Sequence, residues 1–289
     1  MKTILITGAD GFIAKHFVRK YQHEYKITSI AFREDPELES METTVRYIDL
    51  SQDLDYSFLP QKIDAIIHMA QSDHYRFFPD RAIDMFNVNI KSTIQLLDYA
   101  RQASARAFVY SSSGSVYNYG DAAFREDEKF SSQSSLGFYP KTKLCAEILS
   151  NAYQEFMNIF MLRFFFVYGQ NQKKDMLFPR LVQSVQDRKP IILDGDEGFL
   201  CNPIHVEDVV KFVEKSLHLI DSNTINIGGK HEYSLKSICD IIGSITKKDV
   251  IYEQRKNFLP MHLVGNTEKM LKILGQPEIS LEDGIQTIV

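Results

Sequence analysis

The chain has 289 residues, of which 44% are apolar and 25% charged, and its formal net charge is -5. This composition is typical of an ordinary globular protein, and the absence of a basic tract argues against a nucleic-acid partner. No apolar run approaches the ~20 residues that a membrane span needs. No secretory signal is visible, because only Lys2 precedes the first apolar run and Gly8 ends it too early for a leader.

The three cysteines, Cys145, Cys201 and Cys239, lie far apart in the sequence. They form neither a disulfide framework nor paired metal-ligand spacing, which suits a reducing compartment. We therefore expect a soluble cytoplasmic protein with no metal site.

Short apolar runs alternate with amphipathic stretches through the first part of the chain. The apolar runs predict strands over 3–7, 25–32, 45–48, 65–70, 107–111 and 160–167, and the amphipathic stretches predict helices over 12–21, 82–103 and 139–153. Strands that alternate with helices imply crossover connections and a Rossmann-like, doubly wound parallel sheet of the α/β class. Ligands of such a sheet bind at the carboxyl ends of its strands.

After Gly169 this alternation becomes less regular. A polar loop over 170–175 is followed by helices predicted over 177–185, 207–219, from 234 onward, and 267–274, with short strands at 191–193, 204–206 and 224–227. We interpret 1–169 as an NAD(P)-binding Rossmann domain and 170–289 as a smaller C-terminal α/β substrate-binding lobe. The alternative that part of this lobe returns to the main sheet stays open.

A glycine-rich turn joins the first strand to the first helix. Gly8 permits a tight turn, Gly11 lets the backbone approach a pyrophosphate, and the small Ala14 allows close packing of helix on strand. Phe12 and Ile13 open the helix, whose free N–H groups and dipole favour negative charge. A plain strand–helix turn is the alternative, but the position of this turn at the start of a βαβ pattern favours a dinucleotide site.

The end of the second strand bears on the choice between NAD and NADP. A carboxylate there would accept from the adenine ribose, whereas an arginine would accommodate a 2′-phosphate. The strand ends at Phe32 with Arg33 beside it, which favours NADP slightly. The alternative is that Arg33 is an exposed residue and that Glu34 or Asp35 accepts from the adenine ribose. Asp49 and Leu50, after the third strand, are predicted to contact the adenine.

Tyr139 and Lys143 are one helical turn apart in a predicted helix, with Pro140 in its first turn. Residues at i and i+4 project from one face of a helix. An ammonium group beside a phenol favours the phenolate and lowers the phenol pKa from its ordinary value of about 10. Tyr139 is therefore predicted to exchange a proton with a carbinol–carbonyl pair, although such a pair is by itself common on helix surfaces.

A serine cluster directly follows the fifth predicted strand. Ser111, Ser113 and Ser115 bring hydroxyl groups to a carboxyl end of the sheet, beside the predicted cofactor crevice. A serine cluster is otherwise typical of a solvated loop, but the glycine turn and the Tyr/Lys pair occur with it in the expected order. We therefore predict that these serines contact cofactor and substrate.

Taken together, these motifs resemble the extended short-chain dehydrogenases/reductases, the NAD-dependent epimerases and dehydratases that act on nucleotide sugars. The resemblance covers nearly the whole chain. Its motifs are Gly8-x-x-Gly11-Phe12-Ile13, Ile67-His68-Met69-Ala70, Asn87-Val88-Asn89, the serine cluster, Tyr139-x-x-x-Lys143, Leu162-Arg163 through Val167-Tyr168-Gly169, and Ile204-His205-Val206-Glu207-Asp208.

The resemblance implies a role for each site residue. Ser113 would orient the substrate oxygen, Tyr139 would be the acid/base, and Lys143 would lower the pKa of Tyr139. Ala70 and Asn89 would lie along the cofactor side of the site. Family members commonly form dimers through the helices after the fourth and fifth strands, so a homodimer is implied.

The serine cluster also narrows the reaction. Members that dehydrate a 4-keto sugar have a Thr-Asp-Glu pattern where this chain has Ser113-Gly114-Ser115, so both carboxylates are missing. Ser115 also stands where 3,5-epimerising reductases use a cysteine and decarboxylating members a glutamate. What is left is C4 epimerisation or plain keto/alcohol oxidoreduction, and the serine-rich loop most resembles that of the 4-epimerases.

Two departures from the family pattern bear on the substrate. Phe166 stands where an asparagine often contacts the nucleotide-sugar diphosphate, and Leu200-Cys201-Asn202-Pro203 lacks an arginine that usually grips the same group. Without such a charge-assisted clamp, affinity for a diphosphate would fall. Two alternatives therefore stay open: an oxidoreductase acting on a non-nucleotide alcohol or ketone, and a non-catalytic sensor that binds the cofactor.

Overall fold

The computed structural model describes residues 1–128, 136–255, 258 and 261–289. The chain divides into two compact units, both discontinuous in sequence. The first comprises Met1–Val116, Phe130–Arg163 and Phe212–Ile225, and the second comprises Tyr117–Lys129, Phe164–Lys211 and Asn226–Val289.

A seven-stranded sheet in the order β11-β6-β5-β4-β1-β2-β3 organises the first unit. Its strands are β1 (Lys2–Thr7), β2 (Tyr25–Ala31), β3 (Thr44–Tyr47), β4 (Ala65–His68), β5 (Ala107–Ser113), β6 (Asn158–Phe164) and β11 (Asn223–Ile227). The pairings from β3 across to β5 are parallel, as predicted for a doubly wound fold. The carboxyl ends of these strands therefore meet at one edge of the sheet.

The helices of the first unit connect these parallel strands. They are α1 (Phe12–Tyr21), α2 (Pro36–Glu39), α3 (Ala82–Phe86), α4 (Ser92–Gln102) and α5 (Phe138–Asn151). Buried apolar side chains of β1, β4, β5 and β6 form one hydrophobic core with residues of α4 such as Leu96 and Leu97. Because β1 and β4 have buried residues on both faces, they read as nearly continuous apolar runs.

The helix predicted over 82–103 is interrupted. A π-helical turn, Asn87–Lys91, separates α3 from α4. The Ser92 and Thr93 hydroxyls at the start of α4 donate to two carbonyls of this turn, those of Val88 and Asn89, at 2.6 and 2.8 Å. Such bonds to the preceding turn compete with the regular ladder. The periodicity of the sequence does not predict this interruption, because the buried positions keep helical spacing from Met85 through Asn89 to Ser92 and Thr93.

The second unit has its own core and its own short strands. Its elements are β7 (Val167–Tyr168), α6 (Leu177–Gln186), β8 (Ile191–Asp194), β9 (Leu200–Cys201), β10 (Ile204–His205), α7 (Val206–Ser216), β12 (Tyr233–Ser234), α8 (Leu235–Thr246), β13 (Tyr252–Arg255), α9 (Glu268–Ile273) and α10 (Leu281–Gln286); the end of α7 belongs to the first unit. The strand predicted over 160–167 ends earlier, because Phe166 has φ 43° and turns the chain out of the extended conformation. Among the described residues, no helix is long and apolar enough to cross a bilayer.

Candidate active site

The glycine turn lies between β1 and α1, at the carboxyl edge of the sheet. Gly8 has φ +65°, and the Gly11 N–H donates to the Gly8 carbonyl at 2.8 Å. A Cβ at Gly8 would lie 2.8 Å from the Ala70 backbone, so the turn and the end of β4 approach as closely as glycine allows. Gly11 precedes α1, whose first turn has no side-chain cap. N–H groups without a side-chain cap at the start of a ten-residue helix, beside two glycines that have no side chain, fit a dinucleotide diphosphate.

The Asn89 side chain bonds to two other segments of the site, the loop after β4 and the start of α5. Its side-chain oxygen accepts from the Ser72 N–H at 2.9 Å, and its amide donates to the Thr142 hydroxyl at 2.9 Å. Thr142 in turn donates to the Tyr139 carbonyl at 2.7 Å. Asn89 is 1% exposed. The residue therefore joins the loop after β4 to the start of α5, and so fixes where Tyr139 emerges.

The end of β2 is held by acidic groups on neighbouring segments. Asp10 accepts from the backbone N–H groups of Phe32 and Arg33, both at 3.3 Å. The Arg33 guanidinium pairs with Asp73 at 2.7 Å, with both side chains largely exposed. Asp35 accepts from Lys15 and caps α2, and this pairing together with the cap bonds holds the pKa of its carboxyl below the ordinary value against the effect of burial.

Asp49 and Leu50 follow β3. The Asp49 carboxylate accepts from the Ser51 N–H at 2.9 Å and so closes a tight turn. Leu50 is 6% exposed and belongs to the core of the first unit. Its side chain therefore packs inward, and only its backbone is available to a ligand.

The serine cluster continues β5, which extends two residues further than predicted, to Ser113. The Ser113 and Ser115 hydroxyls lie 2.9 Å apart, and the Ser115 N–H donates to Ser113 Oγ at 3.2 Å. The Ser111 carbonyl accepts from Lys143 Nζ at 2.8 Å. The structure thus brings the predicted serines together at the carboxyl end of β5.

Tyr139 lies in the first turn of α5, and its phenol reaches the strand ends. The phenol donates to Gln71 Oε1 at 2.9 Å, and the Tyr75 ring lies 5.4 Å away from its own. Burial raises the pKa of Tyr139, while a hydrogen bond with Ser113 acts in the opposite direction. Ser113 is therefore near enough to the phenol for the two hydroxyls to share one substrate oxygen.

Lys143 is among the most deeply buried charged groups of the first unit, at 1% exposed. Its Nζ lies 5.0 Å from the centre of the Tyr110 ring and 5.9 Å from that of Tyr139. Burial lowers the pKa of Lys143 to about 7, and the Glu147 carboxylate acts against this effect. The ammonium is thus directed along the strand end, on the same helix face as the phenol.

Sequence reasoning missed three groups at this site. Gln71, which accepts from the phenol, is the first residue after the predicted fourth strand. Its position at the carboxyl end of a strand could have indicated that it belongs to the site. Asp10 lies inside the glycine turn, and Glu147 follows Lys143 by one helical turn. Neither type of residue stands out without the contacts that the tertiary structure makes. Among the described residues, no group of His, Cys, Asp or Glu side chains is arranged to hold a metal ion.

A glycine turn at the first crossover and a phenol–ammonium helix facing a strand-end hydroxyl are the features of a nicotinamide-dependent enzyme of the extended short-chain dehydrogenase type. Comparison with known proteins agrees with this class. The model described as "NAD dependent epimerase/dehydratase family" matches residues 4–228. The chain belongs to this family.

Individual relatives are similar over nearly their whole length. An uncharacterised UDP-glucose epimerase of Bacillus subtilis (strain 168) is 29% identical, over 98% of this chain and 95% of the relative. A UDP-glucuronate 4-epimerase of Thermodesulfobacterium geofontis is 27% identical, over 99% of this chain and 94% of the relative. The solved UDP-glucuronic acid 4-epimerase of Bacillus cereus, in complex with UDP-glucuronic acid and NAD, superposes with a TM-score of 0.86 at 28% identity and covers 99% of this chain and 97% of its own.

Proposed function

We propose that this protein is a 4-epimerase acting on a UDP-linked hexose or hexuronic acid. One observation carries the proposal: Tyr139, Lys143 and Ser113 meet at the carboxyl edge of the sheet, and the strand-end loop beside them has no carboxylate. Dehydration needs an additional acid and base there. Epimerisation through a keto intermediate needs only hydride and proton transfer.

The roles of the three residues follow from their positions. The phenolate of Tyr139 accepts the proton of the C4 hydroxyl and later returns it to the C4 oxygen. Inversion requires that the 4-keto sugar turn in the site, so that the returning hydride reaches the opposite face of C4. Ser113 holds that oxygen by a hydrogen bond while the proton moves. Lys143 favours the phenolate electrostatically and opposes the effect of burial on Tyr139. A bound nicotinamide supplies the acceptor for the C4 hydride and its return.

We propose NAD rather than NADP as the cofactor. The Bacillus cereus complexes in which the cofactor is named contain NAD. The guanidinium of Arg33, on which the preference for NADP depended, is paired with Asp73. A 2′-phosphate would have to compete with that carboxylate for the same cation.

The experiment uses the purified protein without added cofactor. The bound nucleotide is released by acid and identified by mass spectrometry, and UDP-glucose and UDP-glucuronic acid are then supplied separately. We expect the C4 epimer to appear by NMR, with bound NAD and no net change in free cofactor. Stoichiometric NAD(P)H oxidation with a keto-sugar would indicate a reductase instead, and unchanged sugars in every reaction would refute both.

A second candidate function is oxidoreduction of an alcohol or ketone that has no nucleotide. It is favoured by the segment 200–203, where Asn202 is buried and bonded to Gly229 and Gly265, and no arginine is present. Phe166 stacks on Phe199 at 5.8 Å where the family often has an asparagine. Competition by free UDP distinguishes the two functions, because only a nucleotide-sugar enzyme should be inhibited by it.

The protein is also proposed to form a homodimer in the cytoplasm. Apolar side chains are exposed on α3 and α5, including Ile83 at 73% and Ile148 at 58%. These helices follow β4 and β5, the position at which family members dimerise. The lobe within 170–289 is proposed to bind substrate. Light scattering of the purified protein tests the dimer.

A further inference from the structure

A buried ion pair lies one helical turn beyond Lys143. Arg163 on β6 contacts Glu147 on α5 through two parallel bonds, Nε to Oε1 at 3.0 Å and Nη2 to Oε2 at 2.6 Å. Each side chain is 5% exposed. The Ser112 hydroxyl on β5 also donates to Glu147 Oε1. One carboxylate therefore ties together α5, β5 and β6.

A buried ion pair is an unfavourable way to stabilise a core, because both charges lose their hydration. Removing two charges from water costs several kcal/mol, and apolar residues of the same volume often serve stability as well or better. The position of the pair indicates what else it does. Ser112 stands between Ser111, which accepts from Lys143, and Ser113, which contacts Tyr139. Glu147 thus holds the helix that carries the acid/base pair against the strand end that it must face.

The surroundings of Lys143 contain few charges. Around its ammonium lie the Tyr110 and Tyr139 phenols and, on β4, the His68 imidazole. His68 is buried and bonded to Thr7 and Thr93, and burial followed by the nearby Lys143 lowers its pKa to about 3, so it is neutral. Among these described side chains, Glu147 supplies the negative charge, and Arg163 is paired with it.

We propose that Glu147 is a positioning residue that keeps Lys143 cationic and directed at the end of β5, with Arg163 and Ser112 holding Glu147 in place. The inference rests on the proposed function, in which Lys143 assists the Tyr139 phenolate. It goes beyond that function by assigning a role to an ion pair that does not touch the substrate.

The sign of the effect follows from the charges. Burial lowers the pKa of Lys143 to about 7, and the negative charge of Glu147 raises it. Glu147→Gln keeps the size and an acceptor for Arg163 but removes the charge, so the pKa of Lys143 should fall further, by about one pH unit or more. Near pH 7.5 the cationic fraction of Lys143 would then fall about tenfold, since one pH unit is a factor of ten in protonation.

The test measures Lys143 directly, in protein loaded with NAD. Lysine labelled with ¹³C at Cε is incorporated, and the Lys143 signal, assigned by its absence in Lys143→Arg, is titrated by NMR. We expect a lower midpoint in Glu147→Gln, and a wild-type midpoint in the matched control Ser150→Ala, which removes a buried hydroxyl of α5 that bonds to the Ala146 carbonyl and changes no charge. In the pH–rate profile, the loss of activity with rising pH should begin about one pH unit earlier in Glu147→Gln only.

A second variant covers the case in which Glu147→Gln fails to fold because Arg163 is left unpaired. Glu147→Gln combined with Arg163→Met has no unpaired buried charge, and its Lys143 midpoint should also fall, whereas Glu147→Asp should retain the wild-type midpoint. Equal midpoints in the wild type and the charge-removing variants, or equal shifts in these variants and Ser150→Ala, would overturn the inference. If the wild type turns over no sugar nucleotide, the proposed function fails, and the Lys143 titration still decides the role of Glu147.

Discussion

Replacing Gly8 with alanine adds one methyl group at the tightest point of the cofactor turn. That methyl group would lie 2.8 Å from both Cα and N of Ala70 and 3.0 Å from the carbonyl carbon of Met69. All three are backbone atoms, so no rotamer change relieves the contact. The φ of +65° adds a second penalty, because a Cβ crowds the following carbonyl in the left-handed region.

The magnitude follows from these two terms. The left-handed conformation costs an alanine roughly 1–2 kcal/mol, and forcing a methyl group into a filled space costs roughly 1–3 kcal/mol. The sum is about 2–5 kcal/mol in the free energy of unfolding, or roughly 4–20 °C in melting temperature for a unit of this size. Cofactor affinity should fall as well, because β4 can move away from the turn only by distorting the diphosphate site.

The assay is a thermal melt with and without NAD, combined with NAD titration calorimetry. Saturation at 100 times the dissociation constant stabilises the wild type by about 2.7 kcal/mol, and this increment should shrink in Gly8→Ala. Gly137→Ala is the matched control: a Cβ there meets nothing closer than 3.7 Å, and φ is -63°, so its cost should stay below about 1 kcal/mol. If Gly8→Ala melted like the control and kept its NAD increment, the turn would not be the cofactor cradle.

Three further predictions follow from the site. Tyr139→Phe should lower turnover by about 10²–10⁴-fold while the co-purified cofactor, measured by absorbance after acid release, is retained; full activity would remove Tyr139 from the mechanism. Arg33→Asp should weaken NADP binding more than NAD binding in calorimetry, and because the Arg33–Asp73 pair is exposed, stability should change by less than about 1 kcal/mol; equal losses for both nucleotides would show that Arg33 does not read the 2′ position. The pKa of His68 is lowered to about 3, below its value in the unfolded chain, so its stabilising contribution is complete above about pH 6.5 and falls by up to about 1.4 kcal/mol per pH unit as the solution is acidified towards pH 3. His68→Gln should flatten this dependence in denaturant titrations between pH 7 and pH 4, and an unchanged slope would mean that the pKa of His68 is the same in the folded and unfolded chains.

The proton chemistry at the site depends on two opposite effects of burial. It raises the pKa of the Tyr139 phenol and lowers that of the Lys143 ammonium, so both groups are pushed towards their neutral forms. Ser113 and Glu147 act against this tendency, one at each residue. The protonation states of the proposed acid/base pair therefore depend on four side chains rather than two.

Much of the fold follows from local pattern. Helix α1 begins and ends where the sequence predicts, at Phe12 and Tyr21, because its apolar positions repeat with helical period and a glycine precedes it. The strands β1, β2 and β4 were predicted to within two residues, since buried parallel strands read as continuous apolar runs. The two-residue strands β9 and β12 of the second unit were not predicted, because a run of two residues carries no periodicity.

The sequence by itself predicted which residues carry the chemistry, because the spacing of Tyr139 and Lys143 and the glycines of the first turn are local features that follow from helix geometry and backbone sterics. Only the tertiary structure determined which side chains are their hydrogen-bond and ion-pair partners. Gln71 accepts from the phenol, Asp73 pairs with Arg33, and Arg163 pairs with Glu147, through side-chain contacts between segments that are separate in the sequence. Hydrogen bonds and charges act over a few ångströms in space, and such distances arise only when the sheet brings its strand ends to one edge.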